Sequence, residues 1–438
     1  MNVMKFGGTS VGSAARMQGV VKLIADGETK VVVLSAMSGT TNALIEFTNY
    51  LRNGNSIGAV EHITNLQSKY RQTVKDLYSS EKYAVLANER VGDIFNHLRA
   101  LALQPLTADN EKEIIAQGEI MSTNMVALYM EEQGIDVKLL NSLDFMRLKA
   151  NEEPDMEYIV EKLTPLIESR TDGRIYIAQG FICMNSENRV ANLQRGGSDY
   201  TATLIGAALQ AEEIQIWTDI DGMHNNDPRI VDGTRPVRHL HFEESAELAY
   251  FGAKILHPTC ILPARLAGVP VRLLNTMDPK AEGTLIDNNL TEPGTIKAVA
   301  AKDNITAIKI KSGRMLLAYG FLRKVFEIFE TYRTSIDMIC TSEVGVSMSI
   351  DNANRLEEIT NELQKYGTVT IDKDMCIICV VGDLTWENTG FESRAMEAMK
   401  DIPVRMVSYG GSNYNISFLI RMEDKERALR ALSKNIFN

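Results

Sequence analysis

The sequence predicts an α/β protein in which a three-layer α/β/α domain is followed by two small, similar domains. Over roughly the first 290 residues, short β-rich apolar runs alternate with longer helical patterns. The runs at 30–35 and 174–179 are unbroken, which is typical of strands buried on both faces of a parallel sheet. Beyond a polar segment at 287–294, one helix–strand pattern occurs twice, about 70 positions apart. These observations predict a mostly parallel sheet between helices, followed by two βαββαβ-like units.

The elements of the first part are expected in a βαβα order. Strands are predicted at 3–6, 30–35, 136–140, 174–179 and 213–218. Helices are predicted at 13–25, 41–52, most of 56–103, 110–133, 155–169 and 198–210. Connections between parallel strands are right-handed, so such an order places helices on both faces of the sheet.

The second part begins after a linker at 287–294, which carries Pro293 and Gly294. Gly320-Phe321 opens the first helical run and Gly390-Phe391 the second, and each run is followed by two strands around a turn. The predicted domains are residues 1–290, 291–372 and 373–438.

Charge and composition exclude several classes of protein. The net charge of −11 argues against non-specific nucleic-acid binding, because a phosphate backbone needs a basic face. No apolar run approaches the roughly 18 residues that a membrane helix needs, and the N-terminus has no signal-peptide pattern. Five cysteines in 438 residues indicate reduced thiols and the cytosol.

Three polar segments each follow a predicted strand, where ligands of open α/β sheets collect. The first is Lys5-Phe6-Gly7-Gly8-Thr9-Ser10, whose glycines let backbone N–H groups approach phosphate oxygens while Lys5 supplies a positive charge. An ordinary strand-end turn with a solvated lysine explains the segment equally well. The order and spacing do not match a Walker A loop.

The other two segments precede predicted helices. In the hydroxyl-rich segment 34–42, helix capping is the better explanation for at least two of the Ser and Thr residues. In the segment 194–200, Arg195 can hold a carboxylate in a bidentate fork beside two glycines. The alternative is a helix capped by Ser198 or Asp199, with a surface arginine.

Several other motifs are interpreted as structural. Cys376 and Cys379 lie inside an apolar strand, where positions three apart face opposite ways. His239 and His241 have no third ligand at a suitable spacing, so a surface strand is expected rather than a metal site. The acidic pair at 243–244 is expected to open a helix.

Seven segments, taken in their order along the chain, resemble the aspartate kinases of the amino-acid kinase superfamily. They are KFGGTS at 5–10, SAMSGTTN at 35–42, QGE at 117–119, RGGSDYTA at 195–202, WTDIDG at 217–222, DPR at 227–229 and FGAKILHP at 251–258. Residues 313–351 are similar to the first of the paired ACT domains that sense end-product amino acids in this family. The resemblance implies the amino-acid kinase fold, a three-layer α/β/α sandwich around a mostly parallel sheet, followed by two ferredoxin-like ACT domains.

The resemblance also implies roles for individual residues. Lys5 would contact the transferring phosphoryl group, and Asp199 would organise that lysine and its loop. Those that would hold aspartate are Ser35, Thr41, Glu119, Arg195 and Ser198. Those that would line the ATP site are Lys5, Gly7, Gly8, Ser10, Thr218, Asp219, His224, Asp227, Arg229 and Lys254. Those that would form an effector pocket are Met315, Gly320, Phe321, Ser335, Ile336, Asp337 and Glu343.

The chain departs from the family pattern at four positions. His224 stands where relatives often have tyrosine, and Ala318 where they often have serine. Cys183 and Gln194 stand where glycines are usual, which narrows the backbone angles open to those loops.

The activity implied is phosphorylation of the L-aspartate side-chain carboxylate by ATP with Mg²⁺, without a metal site built by the protein. The product would be 4-phospho-L-aspartate, the first intermediate towards lysine, threonine and methionine. The resemblance further implies a cytoplasmic enzyme, inhibited by lysine, that forms a homodimer or a dimer of dimers through its ACT domains. The alternative from another class is an amino-acid-sensing regulatory protein with an inactive kinase domain.

Overall fold

A computed structural model describes residues 1–168, 171–193, 196–252, 256–313 and 319–437. The chain forms two compact units. The first comprises Met1–Gly222 and Leu256–Asn288, and the second comprises Met223–Ile255 and Asn289–Asn438.

Helices and strands alternate along most of the first unit and again in the second. The strands are β1 (Asn2–Phe6), β2 (Lys30–Leu34), β3 (Val137–Leu139), β4 (Ile175–Gln179), β5 (Ile182–Met184), β6 (Val190–Asn192), β7 (Ile214–Thr218), β8 (His239–His241), β9 (Val271–Asn275), β10 (Thr284–Asp287), β11 (Ile296–Lys311), β12 (Ile339–Ser342), β13 (Gly345–Ile350), β14 (Thr368–Gly382), β15 (Val404–Ser408) and β16 (Asn415–Arg421). The helices are α1 (Ala14–Ile24), α2 (Thr40–Arg52), α3 (Ser56–Leu77), α4 (Glu81–Ala102), α5 (Ala108–Glu132), α6 (Met156–Leu163), α7 (Gly197–Leu209), α8 (Phe242–Tyr250), α9 (Pro258–Ala267), α10 (Phe321–Thr331), α11 (Leu356–Gln364), α12 (Phe391–Ala398) and α13 (Lys425–Leu432).

A mostly parallel sheet organises the first unit, as the sequence predicts. Seven of its strands lie in the order β3-β4-β2-β1-β7-β9-β10. Neighbouring strands from β3 to β9 pair in parallel, and β10 pairs with β9 in the antiparallel direction. Because β1 lies between β2 and β7, its last residue, Phe6, pairs with both Leu34 and Trp217. The carboxyl ends of these strands therefore meet at one edge of the sheet, where ligands of such sheets bind.

The local sequence explains most of these elements. All five residues of β2 are buried, as expected of a strand covered on both faces. In α1 the buried residues Met17, Val20, Val21 and Ile24 form one apolar face that packs into the core. The helical stretch predicted across 56–103 is two helices, α3 and α4, with a break at 78–80.

The second unit contains a six-stranded antiparallel sheet in the order β12-β13-β11-β14-β16-β15. Strands β11 and β14 are 16 and 15 residues long and pair along most of their lengths. Helices α10 and α11 pack on the half of the sheet that contains β13, and α12 and α13 pack on the half that contains β16. The predicted internal repeat and the ferredoxin-like arrangement are confirmed.

Helix α8 belongs to this second unit and is tied to its sheet by polar side chains. Glu244 of α8 lies 2.8 Å from the ammonium of Lys297, and the two side chains are 0% and 2% exposed. Glu244 also accepts the backbone N–H of His241 at 2.8 Å, which completes a capping box at the helix start. The sequence predicts this start from its acidic residues, and the structure confirms it.

Two motifs interpreted as structural lie in strands, as the sequence predicts. The strand β8 spans His239–His241, and Cys376 and Cys379 are buried within β14. All five cysteines lie in the described part of the chain and are free thiols. Among the described residues, no helix is long and apolar enough to span a membrane.

Candidate active site

A cleft of about 610 Å³ opens at the carboxyl edge of the parallel sheet in the first unit. It brings together residues from all three polar segments that follow predicted strands. Those that line it are Lys5, Gly8, Thr9, Ser35, Ala36, Met37, Ser38, Gly39, Thr41, Asn42, Glu119, Phe181, Leu193, Gly196, Gly197, Ser198 and Asp199. Seven of the predicted site residues are in this set: Lys5, Gly8, Ser35, Thr41, Glu119, Ser198 and Asp199.

An ion pair crosses the cleft between β1 and α7. The Nζ atom of Lys5 lies 2.7 Å from Oδ1 of Asp199, and the side chains are 12% and 14% exposed. Helix α7 begins at Gly197, and its N-cap is Gly196 at φ +77°, with no capping side chain among the described residues. The alternative interpretation, in which Ser198 or Asp199 caps this helix, is therefore wrong. Asp199 instead contacts the lysine of the neighbouring segment.

Two glycines allow the close approach of Ser198 and Phe181 beside this ion pair. A Cβ at Gly180 would lie 2.4 Å from Ser198 Oγ, and a Cβ at Gly197 would lie 2.5 Å from a ring carbon of Phe181. Phe181 itself has φ +69°, which is uncommon for a bulky residue and is typical of functional loops. Its backbone N–H donates to Thr201 Oγ1 at 2.9 Å, which helps to hold that conformation.

The hydroxyl-rich segment 34–42 lies beside the glycines of the first segment. Its Ser38 N–H donates to the carbonyl of Gly8 at 3.2 Å, so the two loops are joined. Helix α2 has Gly39 at φ +81° as its N-cap, and no described side chain caps it. The expectation that capping explains at least two of the hydroxyls is thus wrong. Thr41 lines the cleft, while the hydroxyl of Thr40 is 2.9 Å from that of Tyr70.

A buried carboxyl group forms another wall of the cleft. Glu119, in the middle of α5, is 3% exposed, and its Oε1 accepts the backbone N–H of Ala36 at 3.2 Å. Its Oε2 is buried and has no hydrogen-bond partner among the described residues. Burial raises the pKa of Glu119 to about 8, which the Ala36 N–H only partly offsets. Such a group can accept a donor that a ligand brings, above all a cation.

Two nucleotide-side candidates of the first unit lie at the end of β7, the strand next to β1. The Thr218 hydroxyl donates to Oδ1 of Asp219 at 3.1 Å. Ser10, which is predicted on the phosphate side, is buried, with its hydroxyl 2.9 Å from that of Thr276. The backbone N–H of Thr276 in turn donates to the carbonyl of Thr218 at 2.8 Å. These contacts join the first glycine segment to the ends of β7 and β9.

Gly7 lies in the first unit but is not among the residues that line the cleft, and His224, Asp227 and Arg229 lie in the second unit. Arg229 holds Asp227 through two hydrogen bonds, from Nε to Oδ1 at 2.9 Å and from Nη2 to Oδ2 at 2.7 Å. The Arg229 side-chain hydrogen bonds lower the pKa of Asp227. His224 Nδ1 lies 2.8 Å from Thr234 Oγ1. Gln194, Arg195, Lys254, Met315 and Ala318 lie outside the described residues.

Two of the predicted effector residues lie at the start of α10, and the other described ones follow that helix in the chain. Gly320 is the N-cap of α10 at φ +83°, and Phe321 is the first residue of the helix. Ser335 and Glu343 are exposed, and Ile336 is half-buried. The Asp337 side chain is fully buried, and its Oδ1 accepts hydrogen bonds from two side chains of the same unit.

Comparisons with known proteins agree with this arrangement. Residues 1–275 match the amino acid kinase family, and residues 378–436 match an ACT domain family. The lysine-sensitive aspartokinase 3 of Escherichia coli (strain K12) is 31% identical to the chain over 99% of both sequences. The chain belongs to the aspartokinases of the amino acid kinase family.

Solved structures of aspartokinases have the same fold. The crystal structure of E. coli aspartokinase III in complex with aspartate and ADP (R-state) has a TM-score of 0.84 at 30% identity. The structure of that enzyme with lysine and aspartate (T-state) has a TM-score of 0.82 at 31% identity. Both comparisons cover 100% of this chain and 100% of the other.

A magnesium ion usually accompanies the phosphates of a bound nucleotide. The described residues contain no group of three or more His, Cys, Asp or Glu side chains that could hold a metal ion. Mg²⁺ bound with a nucleotide needs only one or two carboxylates beside the phosphates.

Sequence reasoning missed two apolar walls of this aspartokinase cleft. Phe181 and Leu193 line it, and Leu193 donates its backbone N–H to the carbonyl of Phe181 at 2.7 Å. Phe181 comes two residues after the end of β4, at the same edge of the sheet as the three polar segments. The position of Phe181 after a predicted strand is a signal that could have identified it.

Proposed function

We propose that this aspartokinase transfers the γ-phosphoryl group of ATP to the side-chain carboxylate of L-aspartate, giving 4-phospho-L-aspartate. The observation that carries the proposal is that the Lys5–Asp199 ion pair and the buried Glu119 line the same cleft. A cation at one part of the cleft suits a phosphoryl group, and an unsatisfied carboxyl at another suits an ammonium. The E. coli relative crystallised with aspartate and ADP supports the same pair of substrates.

The buried carboxyl favours an amino acid as the acceptor. The α-ammonium of aspartate would supply the donor that Glu119 Oε2 does not have among the described residues. We assign the aspartate α-carboxylate to Arg195 because a guanidinium binds a carboxylate in a bidentate fork. Ser35, Thr41 and Ser198 would supply hydroxyl groups around the substrate. The side-chain carboxylate of aspartate is then left to face the phosphoryl group.

The chemistry asks for charge neutralisation rather than proton removal. An aspartate side chain has a pKa of about 3.9, so it is ionised near neutral pH and needs no general base. Two anions must nevertheless meet, and the charge of the transition state must be stabilised. Lys5 would balance the phosphoryl charge, and Asp199 would hold the Lys5 ammonium in place. The first turn of α7 would add backbone N–H groups beside Gly196 and Gly197.

We assign the rest of the nucleotide to the other ATP-side residues. The glycines Gly7 and Gly8 and the hydroxyl of Ser10 belong to the phosphate side. Those assigned to the remainder of ATP are Thr218, Asp219, His224, Asp227, Arg229 and Lys254. A magnesium ion carried by ATP would offset phosphate charge.

We also propose that lysine inhibits the enzyme through the second unit. The α-ammonium of lysine would meet Asp337, its second ammonium would meet Glu343, and its carboxylate would meet the helix start at Gly320 and Phe321. Met315, Ser335 and Ile336 would complete this pocket. The lysine-sensitive E. coli relative supports this effector.

The proposed domains are residues 1–290, 291–372 and 373–438.

A homodimer or dimer of dimers, joined through the second unit, would give such regulation its two states, because an effector acts only through different affinities for them. We place the enzyme in the cytosol, which the five free thiols support.

The decisive experiment is the measurement of ADP release from ATP with and without L-aspartate, each with and without lysine or threonine. We expect aspartate-dependent ADP release that lysine suppresses and threonine does not. L-glutamate serves as the matched acceptor control, since it has one more methylene between the same charged groups. Lysine binding without any aspartate-dependent release would instead support the amino-acid sensor with an inactive kinase domain.

A further inference from the structure

An ammonium group already occupies the carboxylate of Asp337, and it belongs to the chain itself. Lys302 of β11 places its Nζ 2.7 Å from Asp337 Oδ1 and 2.9 Å from Oδ2 of Asp351. The same Nζ lies 4.1 Å from the ring centroid of Tyr250, whose hydroxyl donates to Asp337 Oδ1 at 2.9 Å. Two carboxylates and an aromatic face are surroundings in which proteins hold a primary ammonium.

The internal lysine does not satisfy this site fully. The Asp337 side chain is 0% exposed, and its Oδ2 has no hydrogen-bond partner among the described residues. Asp351, in contrast, is 42% exposed and stands at the rim. A buried acceptor oxygen is therefore available for a further donor, next to an ammonium that retains a partner at the surface.

We propose that Asp337, Asp351 and Tyr250 form an ammonium cage, and that Lys302 is its internal occupant, which a free amino acid must displace. The inference deepens the proposed lysine regulation and rests on it for the effect on activity, although binding can be measured without it. On leaving Asp337, the Lys302 ammonium would stay with Asp351, so displacement breaks only one of its two ion pairs. The ligand class is a primary ammonium compound, and L-lysine is the probe.

If Lys302 competes with the ligand, its replacement should change the affinity for lysine in a defined direction. A ligand that binds only when Lys302 is away has its apparent affinity reduced by the fraction of molecules in which the site is open. Removal of the Lys302 charge should therefore tighten the binding of lysine. If Lys302 only supports the shape of the site, its removal should weaken binding.

Tyr250 is also close in sequence to a predicted nucleotide-side residue. Tyr250 is the last residue of α8 and precedes Lys254 by four positions in the chain. Its hydroxyl shares Asp337 Oδ1 with Lys302. A ligand that takes over this oxygen changes the hydrogen bonding of the residue that leads into the 251–258 segment.

The test is calorimetric titration of the full-length protein with L-lysine. Lys302→Gln removes the charge but keeps an N–H donor for Asp337, and Lys302→Met removes both. We expect each to lower the dissociation constant for lysine by about fivefold or more. Lys302→Arg retains a cation and should show no such tightening. Lys309→Met, a charge removal on the same strand, is the matched control and should stay within about twofold of the unaltered protein.

Three outcomes separate the inference from the proposed function. Unchanged or weaker lysine binding in both uncharged variants would overturn the cage. Tighter binding in Lys302→Arg would overturn it as well, because the competitor would still be present. If the unaltered protein releases no ADP with aspartate, the proposed function fails, and the calorimetric comparison still decides the occupancy of Asp337. If Lys302→Met is insoluble, the dissociation constant for lysine of Lys302→Gln is compared with that of the unaltered protein instead.

Discussion

The ammonium of Lys5 and the carboxylate of Asp199 are 2.7 Å apart in a cleft where each side chain is less than 15% exposed. Lys5 comes from the central strand β1, and Asp199 from the first turn of α7. Because the pair is largely shielded from water, each charge depends on the other for its stabilisation. The carboxylate thereby fixes the lysine at the point where a phosphoryl group would arrive.

Replacement of Lys5 by alanine should abolish useful turnover. The loss of one charge-stabilising donor costs about 3–4 kcal/mol in the barrier, a rate loss on the order of 10²- to 10³-fold. Steady-state ADP release with saturating aspartate and ATP measures it. Lys22→Ala, on the exposed side of α1, is the control. Near-normal turnover in the Lys5 variant would contradict the assigned role.

Replacement of Arg195 by alanine should chiefly raise the aspartate concentration that the enzyme needs. A hydrogen bond to a charged group contributes about 1.5–3 kcal/mol, so the KM for aspartate should rise by about tenfold or more. The KM for ATP measured in the same preparation is the internal control. A change confined to ATP would show that Arg195 does not bind the substrate carboxylate.

Glu119 should impose a pH dependence on aspartate use. Its pKa is raised by burial to about 8, so the free protein at pH 7 holds this carboxyl mostly protonated. An ammonium pairs with the ionised form, and we therefore expect kcat/KM for aspartate to rise with pH up to about 8. Rate profiles between about pH 6 and 9 test this, and Glu119→Gln should lack the inflection.

Glu119 should also make the stability of the folded protein depend on pH, with stability falling where kcat/KM for aspartate rises. The pKa of Glu119 is about 8 in the folded protein, against an ordinary value of 4.5. Between these two pH values the folded protein keeps the Glu119 proton, while the unfolded chain has lost it. Stability should therefore fall as the pH rises through this window, because unfolding releases the Glu119 proton and a higher pH favours that release. Thermal unfolding of the wild-type protein and of Glu119→Gln would reveal the difference, and identical pH slopes would refute it.

Gly180→Ala should damage the site although it adds only a methyl group. The new Cβ would lie 2.4 Å from Ser198 Oγ and 2.9 Å from the Ser198 Cα, so the start of α7 would have to shift. We expect a higher KM for aspartate and a lower kcat. Gly19→Ala adds a Cβ that meets no described atom within 4 Å in α1, and should stabilise the protein by about 0.5–1 kcal/mol. Equal kinetics for the two variants would argue against the contact.

Lys297→Met should strongly destabilise the second unit. Its partner Glu244 is 0% exposed, and removal of one member of such a pair leaves a buried charge at a cost of about 3–5 kcal/mol. Denaturant unfolding measures the loss. Lys400→Met removes one member of an exposed pair with Glu397 and should cause no measurable change. A small effect of the Lys297 replacement would contradict the stabilising role of this buried ion pair.

The sequence is a good guide to the sheet and to the location of the site. Unbroken apolar runs predicted the buried parallel strands, and the polar segments that follow β1 and β2 and precede α7 line one cleft as expected. That success has a simple cause, since parallel strands bring their carboxyl ends to the same edge.

The predictions of helix capping were wrong because residues distant in sequence provide the contacts that local residues were expected to make. Asp199 could cap α7 through a local contact, but the ammonium of Lys5 is the stronger partner, and it comes from the other end of the first unit's sequence. Likewise, glycines at positive φ, rather than hydroxyl residues, occupy the N-caps of α2 and α7. The buried state of Glu119 depends on the packing of the whole of α5, and no short motif records it.

The two long strands of the second unit have a consequence for how its repeated halves behave. Residues at the start of β11 pair with the end of β14, while the end of β11 pairs with the start of β14. Each half of the sheet therefore contains parts of both β11 and β14. A chain break between the halves would leave backbone N–H and C=O groups of these strands without partners. The repeats should therefore melt in one transition, and a fragment ending near residue 372 should be prone to aggregation. We therefore expect the six-stranded sheet to unfold as one body and not as two interchangeable modules.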